Sequence, residues 1–565
     1  MKILLLASSF SGLCQRVLRE LILSGNSVEQ HYGMEETRLR AQIAHFGPDL
    51  IICPFLTHRI PEDIWRSHRC LIVHPGIEGD RGPSSLDWAI SENADYWGVT
   101  LLQAAAEMDA GDIWGTAEFP LRKAGKTSIY KREVSTAAVN LIRQALHDAE
   151  LPSFAARPLN YADTRVKGRL RDTMRQPDRK IDWRRDSTTE VMQKLWAGDT
   201  SPGVLDDLFG SEVFLYGPLP EPHLRGKPGE ILAVAYGAIC RATRDGAVWI
   251  RQLKFRNAGA LPAIKLPAAE VLKPLISAEH YSRLASVESE TPNDIRVEIR
   301  DAVAYIYFNF YNGAANTQQC ERLRETIAQT KRGPVKTLVF MGGEDFFSNG
   351  IHLNCIEAAP SPADESWANI NAIDDLVREI IDSPNHLTIA AVRNNAGAGG
   401  AILPLACDRV VIRDGVVLNP HYDNMGLYGS EYWTYLLPRK VGSEMAFQLA
   451  RECHPMLAGE AFNCGLADTL LDEEWDSFHQ HLFELAERAS QDEDYRDAVA
   501  VKQQERIADE QQKPLTAYRE QELERMRLAF YDPESRYHWE RRKFVYKGKV
   551  PATMLVSEPA TLERV

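Results

Sequence analysis

The sequence predicts a multidomain α/β protein with two separate α/β units, a small β-rich region between them and a helical C-terminal region. The chain has 565 residues, which at roughly 150 residues per domain corresponds to three or four domains. Short apolar runs alternate with amphipathic helical patterns over the first 150 residues and again from about 295 to 490, as expected for mostly parallel sheets covered by helices. Hydrophobic residues make up 44% and charged residues 25% of the chain, the balance of a folded globular protein.

The first predicted domain covers residues 1–155 and begins with a strand followed by a helix. KILLLASS (2–9) is a buried-strand run, and GLCQRVLRELILSG (12–25) places apolar side chains on one helical face. The pattern continues with the strand runs DLIICPFL (49–56) and CLIVHPG (70–76), a helix around 84–92, and the strand runs GVTLLQAAA (98–106) and IWGTAEFPL (113–121). Sheets of this kind bind ligands at the carboxyl ends of their strands.

The rest of the chain divides into regions with different sequence patterns. Residues 156–275 contain short β runs separated by Gly and Asp-Gly turns, as in KPGEILAVAYGAICRATRDGAVWIRQLKF (227–255), and predict a small barrel-like β domain. Residues 276–294 are interpreted as a linker, and 295–490 as the second α/β domain. Residues 491–565 form a charge-rich helical extension, whose aromatic and basic stretch RYHWERRKFVYKGK (536–549) is predicted to dock back onto the body.

Charge, cysteine usage and hydropathy limit the functional classes. Lys and Arg number 65 and Asp and Glu 79, a net charge of −14 that argues against nucleic acid and anionic membranes as partners. The nine cysteines are scattered without a CxxC pair, which indicates reduced thiols and neither disulfides nor a metal site. The apolar run after Lys2 is too short for a signal peptide, and no run approaches the length that spans a membrane. We therefore expect a cytoplasmic protein without a metal.

The first candidate site consists of a histidine and an aspartate that each follow a strand run. His74 lies in CLIVHPG, at the end of a strand run, and Asp109 lies in AAEMDAGD. An imidazole can stabilise an oxyanion while a carboxylate orients it and transfers protons through water, which is the chemistry of acyl transfer. A single histidine after a strand is more often structural, so the spacing alone does not decide between the two roles.

Several motifs in order give the first half of the chain a family resemblance. IVHPG…RG (72–82) resembles the N-x-H-x-S…RG segment of formyltransferases and hydrolases that use formyltetrahydrofolate, and GVTLLQAAAEMDAGD (98–112) resembles their second signature. KIDW (180–183), SPG (201–203) and GKPGEIL (226–232) resemble the small C-terminal barrel of methionyl-tRNA formyltransferase. The resemblance covers residues 1–255.

This resemblance implies that 10-formyltetrahydrofolate is the formyl donor and that His74 and Asp109 are catalytic. The residues that it implies for folate binding are Leu56 and Ile60 in the loop PFLTHRIP, together with Ile72 and Glu107. One position departs from the family pattern, because Ile72 stands where the family has its catalytic asparagine. Isoleucine offers no side-chain donor to a developing oxyanion, and such a donor is worth about 10²–10³ in rate. Ordinary formylation of an amine is therefore not expected.

The second α/β domain resembles the crotonase, or enoyl-CoA hydratase/isomerase, superfamily over residues 295–475. The segments that carry the resemblance are FFSNGIHL (346–353), NNAGAGGAILPLACDRVV (394–411) and VVLNPHYDNMGLYG (416–429). The resemblance implies an oxyanion hole for a thioester carbonyl made by the backbone N–H groups of Ile351 and Gly399. It also implies that coenzyme A binds along Gly350, Ile351, Gly399 and Gly400, where glycine allows close approach.

The chemistry predicted for this second site is not hydration. The two positions at which hydratases carry glutamates are occupied by Ile402 and His421, so water addition to an enoyl thioester is not expected. The same segment instead contains Tyr422 and Glu431, a phenol and a carboxylate that form a plausible acid–base pair. The alternative, in which both are packed or surface residues, stays open on the sequence alone.

The stretch PHYDNMGLYGSEYWTY (420–435), together with the two-part architecture, resembles the HypX/HoxX family of nickel–iron hydrogenase maturation proteins. The resemblance implies CO synthesis from the formyl group of 10-formyltetrahydrofolate, with transfer to CoA and decarbonylation of formyl-CoA. It also implies a hydrogenase large-subunit precursor, or its maturation scaffold, as a partner. Two alternatives stay open: a formyltetrahydrofolate hydrolase or formyltransferase with a CoA-sensing crotonase-like module, and a non-catalytic scaffold that binds folate and CoA.

Overall fold

The chain forms two compact units. The structure is a computed structural model that describes residues 1–257, 259, 262–491 and 495–548. The first unit comprises residues 1–256 and 267–292, and the second comprises the described residues within 257–266 and 293–565. The domain limits predicted at 155, 275, 294 and 490 would subdivide these units, and they stay a prediction.

A six-stranded sheet forms the first part of unit 1. Its strands are β1 (Lys2–Ala7), β2 (Ser27–Tyr32), β3 (Leu50–Cys53), β4 (Cys70–His74), β5 (Tyr96–Gln103) and β6 (Ile113–Pro120). They lie in the order β2-β1-β3-β4-β5-β6, with β1 to β4 mutually parallel and β5 and β6 antiparallel to their neighbours. The helices are α1 (Gly12–Leu23), α2 (Glu36–Phe46), α3 (Glu62–Ser67), α4 (Ser85–Ser91), α5 (Lys126–Ile129) and α6 (Ser135–Glu150).

The apolar runs of this part form its core because they alternate with amphipathic helices. Ile3 and Leu5 of β1 are buried against Leu13, Val17 and Leu21 of α1. α1 starts immediately after Ser11, whose side chain accepts a hydrogen bond from the backbone of Cys14, the usual way of satisfying a free N–H at a helix start. β3 and β4 contribute to the same apolar core, which holds their carboxyl ends in place.

An antiparallel sheet completes unit 1. Its elements are α7 (Thr188–Gly198), β7 (Val204–Leu208), β8 (Ser211–Glu221), β9 (Ile231–Ala235), β10 (Ala238–Ala242), β11 (Ala247–Phe255), β12 (Leu266–Pro267), α8 (Ala268–Leu272) and α9 (Ala278–Ala285). The order β7-β8-β11-β10-β9 is antiparallel throughout. Residues 276–294, interpreted from the sequence as a linker, contain α9, which packs against β9.

Unit 2 is built on a second six-stranded sheet. Its elements are β13 (Ile295–Arg300), β14 (Val303–Phe308), α10 (Thr317–Thr330), β15 (Thr337–Gly342), α11 (Leu353–Ala358), α12 (Pro362–Ile381), β16 (Leu387–Val392), β17 (Ala396–Gly397), β18 (Arg409–Arg413), β19 (Val417–Asn419), α13 (Trp433–Val441), α14 (Ser443–Glu452), β20 (Met456–Leu457), α15 (Ala458–Asn463), β21 (Thr469–Leu471) and α16 (Trp475–Gln491). The order β13-β14-β15-β16-β18-β21 is parallel except for β13. A small second sheet has the order β17-β19-β20.

The C-terminal helices of unit 2 are α17 (Tyr495–Gln512), α18 (Leu515–Tyr531) and α19 (Arg536–Val545). α18 packs against α12 and α13 and buries Leu515, Met526 and Phe530. α19 buries Tyr537 and Arg541, and Arg541 Nε donates to Glu357 at 2.7 Å. The prediction that the aromatic and basic stretch docks onto the body is therefore confirmed for its described residues, 536–548, whereas residue 549 lies outside them.

The predicted fold class is confirmed by the largely parallel sheet of each unit, the antiparallel sheet of unit 1 and the helical C-terminal region of unit 2. Within the described ranges, no helix has both the length and the apolar character needed to cross a lipid bilayer.

Candidate functional site

His74 is the last residue of β4 and lies between two carboxylates. Its Nε2 is 3.0 Å from Asp80 Oδ2, and its Nδ1 is 3.6 Å from Asp109 Oδ2. The imidazole is buried except for a few per cent of its surface. The structure thus brings the two predicted catalytic residues of the first site together and adds a third group, Asp80.

Asp109 reaches His74 by a different route from the one that the sequence predicted. The strand pattern predicts that both residues follow strands whose carboxyl ends share one edge of the sheet, but β5 runs antiparallel to β4. The chain after β5 therefore turns back towards His74, with Asp109 in the left-handed region at φ +54°. Asp109 Oδ2 accepts a hydrogen bond from the backbone of Gly82 at 3.1 Å, and Arg81 Nε donates to the carbonyl of Met108. These bonds hold the returning loop against the 76–82 turn.

Asp80 was missed by sequence reasoning, although it is only six residues from His74. Its carboxylate is buried, and Oδ1 lies 3.5 Å from Arg171 Nε. Gly76 packs so closely on the pair that a Cβ atom there would collide with both His74 Nε2 and Asp80 Oδ2. The signal that could have found Asp80 is a carboxylate directly before the Arg-Gly pair of the IVHPG…RG segment.

A cavity of about 530 Å³ opens in front of His74 and Asp109. Its lining includes the four residues predicted to contact folate, namely Leu56, Ile60, Ile72 and Glu107. Ile72 precedes His74 by two residues and presents an apolar wall. Glu107 is mostly exposed and pairs with Arg81 at 3.0 Å, so it lies at the cavity mouth. A cavity of this volume is in the range that encloses a cofactor-sized ligand.

The predicted oxyanion-hole residues of unit 2 lie close together. Gly350 packs against Gly399, because a Cβ atom on Gly350 would lie 3.3 Å from the backbone nitrogen of Gly399. Ile351, the next residue, pairs with Ala315 through a parallel bridge. Gly400 packs against the carbonyl of Ser348. The four residues predicted to contact coenzyme A therefore come together from two chain segments, 350–351 and 399–400, which pack closely against each other.

Tyr422 and Glu431 form a buried hydrogen-bonded pair beside Gly399. The Tyr422 hydroxyl donates to Glu431 Oε2 at 2.7 Å, and the backbone of Ser430 donates to the same oxygen at 3.1 Å. Glu431 Oε1 accepts no hydrogen bond from any described residue and lies against Gly399, where a Cβ atom would collide with it. Burial, and then the nearby charge of Asp374, raise the pKa of Glu431 to about 8. A carboxyl with a pKa near the working pH can both accept and return a proton.

The two positions that carry glutamates in hydratases, Ile402 and His421, do not provide a water-activating pair in the structure. Ile402 is buried in the apolar core of unit 2. His421 is held by its own loop, with Nδ1 2.7 Å from the carbonyl of Asn419, and burial lowers the pKa of its imidazole. Neither side chain can activate water in the way that a pair of glutamates does.

Two further carboxylates and a guanidinium surround Glu431 and were not predicted. Asp374 on α12 and Glu522 on α18 are buried, and Arg519 on α18 lies 3.8 Å from Asp374. The sequence carries a signal for both acids, since each interrupts an apolar helical stripe: Asp374 falls among Ile370, Ile373 and Val377, and Glu522 among Tyr518, Met526 and Phe530. A charge on such a stripe indicates a buried partner.

Comparisons with known protein families match different families to the two halves of the chain. Residues 20–146 match the family described as formyl transferase, and residues 173–266 match the formyl transferase C-terminal domain. Residues 298–549 match the enoyl-CoA hydratase/isomerase family. Over 191 residues the chain is also 26% identical to a 4-chlorobenzoyl coenzyme A dehalogenase of an Arthrobacter species, covering 33% of this chain and 69% of the relative. Both predicted family resemblances are confirmed.

Two similar proteins span nearly the whole chain. The hydrogenase maturation factor HoxX of Bradyrhizobium diazoefficiens is 43% identical over 98% of this chain and 97% of its own. The crystal structure of HypX from Aquifex aeolicus in complex with tetrahydrofolic acid is 42% identical, with a TM-score of 0.92 over 97% of this chain and 96% of that one. Identity at this level over both units, with the formyltransferase and crotonase-like parts in the same order, means that the chain belongs to the HypX/HoxX family of hydrogenase maturation factors.

Proposed function

We propose that this protein makes carbon monoxide for the nickel–iron site of a hydrogenase, with the formyl group of 10-formyltetrahydrofolate as the carbon source. The observation that carries the proposal is the position of Glu431, whose Oε1 lies against Gly399 where an oxyanion hole would hold a thioester. A carboxyl in that place can remove the proton of a formyl group. Family membership supports the role in hydrogenase maturation.

The first step is formyl transfer at His74 and Asp109. The thiol of coenzyme A loses its proton and attacks the formyl carbon, the C–N bond to the folate breaks, and the folate nitrogen takes up a proton. The products are formyl-CoA and tetrahydrofolate, and no oxidant or reductant is needed. The tetrahydrofolate in the Aquifex aeolicus structure supports a folate in the His74 cavity of this chain. Leu56, Ile60, Ile72 and Glu107 are its proposed contacts.

The apolar wall at Ile72 favours this route over formylation of an amine. Ile72 has no side-chain hydrogen-bond donor, whereas the formyltransferase pattern has an asparagine at this position to stabilise the oxyanion. A thiolate is a stronger nucleophile than a neutral amine of similar accessibility, and we assign stabilisation of the oxyanion to His74. Asp80, buried against His74 Nε2, holds the imidazole so that it can serve both the oxyanion and the proton transfer.

The second step is decarbonylation of formyl-CoA in unit 2. The backbone N–H groups of Ile351 and Gly399 polarise the carbonyl, and Oε1 of ionised Glu431 removes the formyl proton. The C–S bond then breaks, CO leaves, and the thiolate of coenzyme A takes the proton back from Glu431. Tyr422 stabilises the ionised carboxyl through its hydrogen bond to Oε2. The name of the Arthrobacter relative, a dehalogenase of a coenzyme A thioester, supports thioester chemistry on this fold.

The decisive experiment uses the full chain under anaerobic conditions with formyl-labelled 10-formyltetrahydrofolate and coenzyme A, with deoxyhaemoglobin as the trap for gas. We expect labelled CO that depends on coenzyme A and is abolished by His74→Ala. Tyr422→Phe should slow CO release and let formyl-CoA accumulate.

Each alternative predicts a different product. Labelled formate without CO would overturn the proposal in favour of a hydrolase with a CoA-sensing module. Binding of both ligands without turnover would indicate a maturation scaffold. CO formed at an unchanged rate without coenzyme A would overturn the thioester route. Transfer of the labelled CO to a hydrogenase large-subunit precursor, or to its maturation scaffold, is the measurement for the partner.

A further inference from the structure

Glu431 sits on a turn whose backbone is strained. Glu431 and Tyr432 both adopt the left-handed conformation, with φ of +62° and +59°. A residue other than glycine is strained in this conformation, which persists only where the surroundings impose it. Two consecutive residues in this conformation therefore need strong anchors on either side.

Two buried carboxylates supply those anchors. Asp374 Oδ1 accepts from the backbone of Glu431 at 2.9 Å, and both of its oxygens accept from the Ser430 hydroxyl at 2.8 Å. Glu522 Oε2 accepts from the backbone of Tyr432 at 2.9 Å. Glu522 Oε1 accepts from the backbone of Thr434 at 2.8 Å and from its hydroxyl at 2.5 Å. The turn from 430 to 434 is thus fixed from α12 on one side and from α18 on the other.

From this arrangement we infer that Asp374 and Glu522 are positioning residues for the decarbonylation step. They hold the 430–434 turn so that Glu431 Oε1 faces Gly399, where it can accept the formyl proton. The inference rests on the proposed function for its chemical consequence. It also assigns a role to the C-terminal extension, because α18 supplies Glu522 and the arginine that accompanies Asp374. Neither residue contacts the reacting atoms, so each acts through Glu431.

The charges around Glu431 come from several elements. The titratable groups that interact with it are Tyr422 on its own loop, Cys320 on α10, Asp374 on α12 and Glu522 on α18. Arg519 on α18 lies 3.8 Å from Asp374 and also binds the neighbouring Asp375. The three buried carboxyls of Asp374, Glu431 and Glu522 therefore form an excess of negative charge, which disfavours ionisation of Glu431 and makes its carboxylate more basic.

The two acids can be tested separately because their hydrogen bonds differ. In Asp374→Asn the amide oxygen can still accept from the Glu431 backbone, so the variant removes charge and keeps the turn. In Glu522→Gln one oxygen that accepts a backbone N–H becomes an NH₂ group, which repels that donor. Glu522→Gln therefore disturbs the turn, and Thr434→Ala provides a milder change of the same contact.

The closing experiment is an infrared pH titration of the protonated carboxyl band, assigned by its loss in Glu431→Gln, together with the rate of CO release from added formyl-CoA. In Asp374→Asn we expect the midpoint of the Glu431 band to fall by about one pH unit. In Glu522→Gln we expect CO release to fall about 10²-fold, as for a misplaced catalytic group, and Thr434→Ala should give a smaller loss. Asp382→Asn, at the exposed end of α12, and Glu524→Gln, on the exposed face of α18, are the matched controls.

The inference is overturned if Asp374→Asn titrates like Asp382→Asn, or if Glu522→Gln and Thr434→Ala release CO like Glu524→Gln. The infrared titration does not depend on turnover. A protein that makes no CO but shows the shifted band would refute the proposed function and leave the charge coupling of Asp374 to Glu431 supported.

Discussion

The two candidate sites are built in opposite ways. The His74 site takes its three polar side chains from one segment, residues 74–109, and opens into a cavity of about 530 Å³. The Glu431 site draws carboxyls from residues 374, 431 and 522, holds them buried, and anchors a strained turn. The first arrangement suits a wide ligand that brings its own reactive group. The second suits a small reacting group whose proton must be handled away from water, since burial adjusts the basicity of the carboxyl.

If the sites perform separate half-reactions, each can be removed without the other. We expect His74→Ala to lower formyl transfer about 10³-fold while leaving CO release from added formyl-CoA intact. Glu431→Gln should do the reverse, forming formyl-CoA and releasing almost no CO. The two half-reactions are followed by formyl-CoA chromatography and by CO binding to deoxyhaemoglobin.

The contrast fails if either variant loses both half-reactions while its thermal unfolding is unchanged. That result would mean that one site performs both steps. A purified sample of each variant that retains the parent melting temperature is the necessary control.

Within the first site, the comparison predicts that Asp80 matters through His74 alone. Asp80→Asn replaces the acceptor of the 3.0 Å contact with Nε2 and should lower the formyl-transfer rate about 10²-fold, since a displaced catalytic group costs about that much. The KM for 10-formyltetrahydrofolate should change little, because the four predicted folate contacts are untouched. Gly76→Ala, which pushes a methyl group between the same two side chains, should give a similar loss. A large rise in KM with an unchanged kcat would instead make Asp80 a folate contact.

The difference between the sites also explains how far the sequence could be interpreted. His74 and Asp109 were predictable because short motifs carry both residues within one segment. Asp80 lies in the same segment and was missed. The orientation of its side chain towards His74 depends on the close packing of Gly76 and on Arg171 from a distant loop, which the motif does not show. The reversed direction of β5 was missed as well, since an apolar strand run does not reveal whether its neighbour is parallel.

The second site shows where sequence reasoning stops for a physical reason. Tyr422 and Glu431 were proposed as a pair, and their hydrogen bond is present. Asp374 and Glu522 interrupt apolar helical stripes, so a buried charge on each helix could have been inferred. The backbone groups that they bind could not be inferred, because those contacts join residues that are 57 positions apart for Asp374 and 88 to 90 positions apart for Glu522.

Tyr422 provides a finer test of the buried site, with an effect opposite in sign to that of Asp374→Asn. Its hydroxyl favours the ionised form of Glu431, so Tyr422→Phe should raise the pKa of that carboxyl above about 8. Removal of a hydrogen bond to a charged group costs of order 1.5 kcal/mol, or about one pH unit and a tenfold slower step. The pH profile of CO release in Tyr422→Phe should therefore have its midpoint at higher pH. An unshifted midpoint would separate the phenol from the protonation of Glu431.

The smallest expected effect concerns stability, and it distinguishes the buried site without any substrate. Burial raises the pKa of Glu431 in the folded protein from 4.5 to about 8, so the folded state binds more protons than the unfolded state between these values. The contribution of this group to stability is therefore fully present below about pH 4.5 and is lost as the pH rises to about 8. Glu431→Gln removes this loss, and its melting temperature relative to the parent should rise by about 5 °C between pH 5 and pH 9.

Glu524→Gln, with an exposed carboxyl on α18, should follow the parent at both pH values. Calorimetry of the full chain makes the comparison, and the transition that Glu431→Gln displaces at pH 9 is the unfolding of unit 2. Equal displacement at both pH values would mean that Glu431 is ionised throughout this range, and the proton that the proposed decarbonylation passes from carbon to sulfur would then need another carrier.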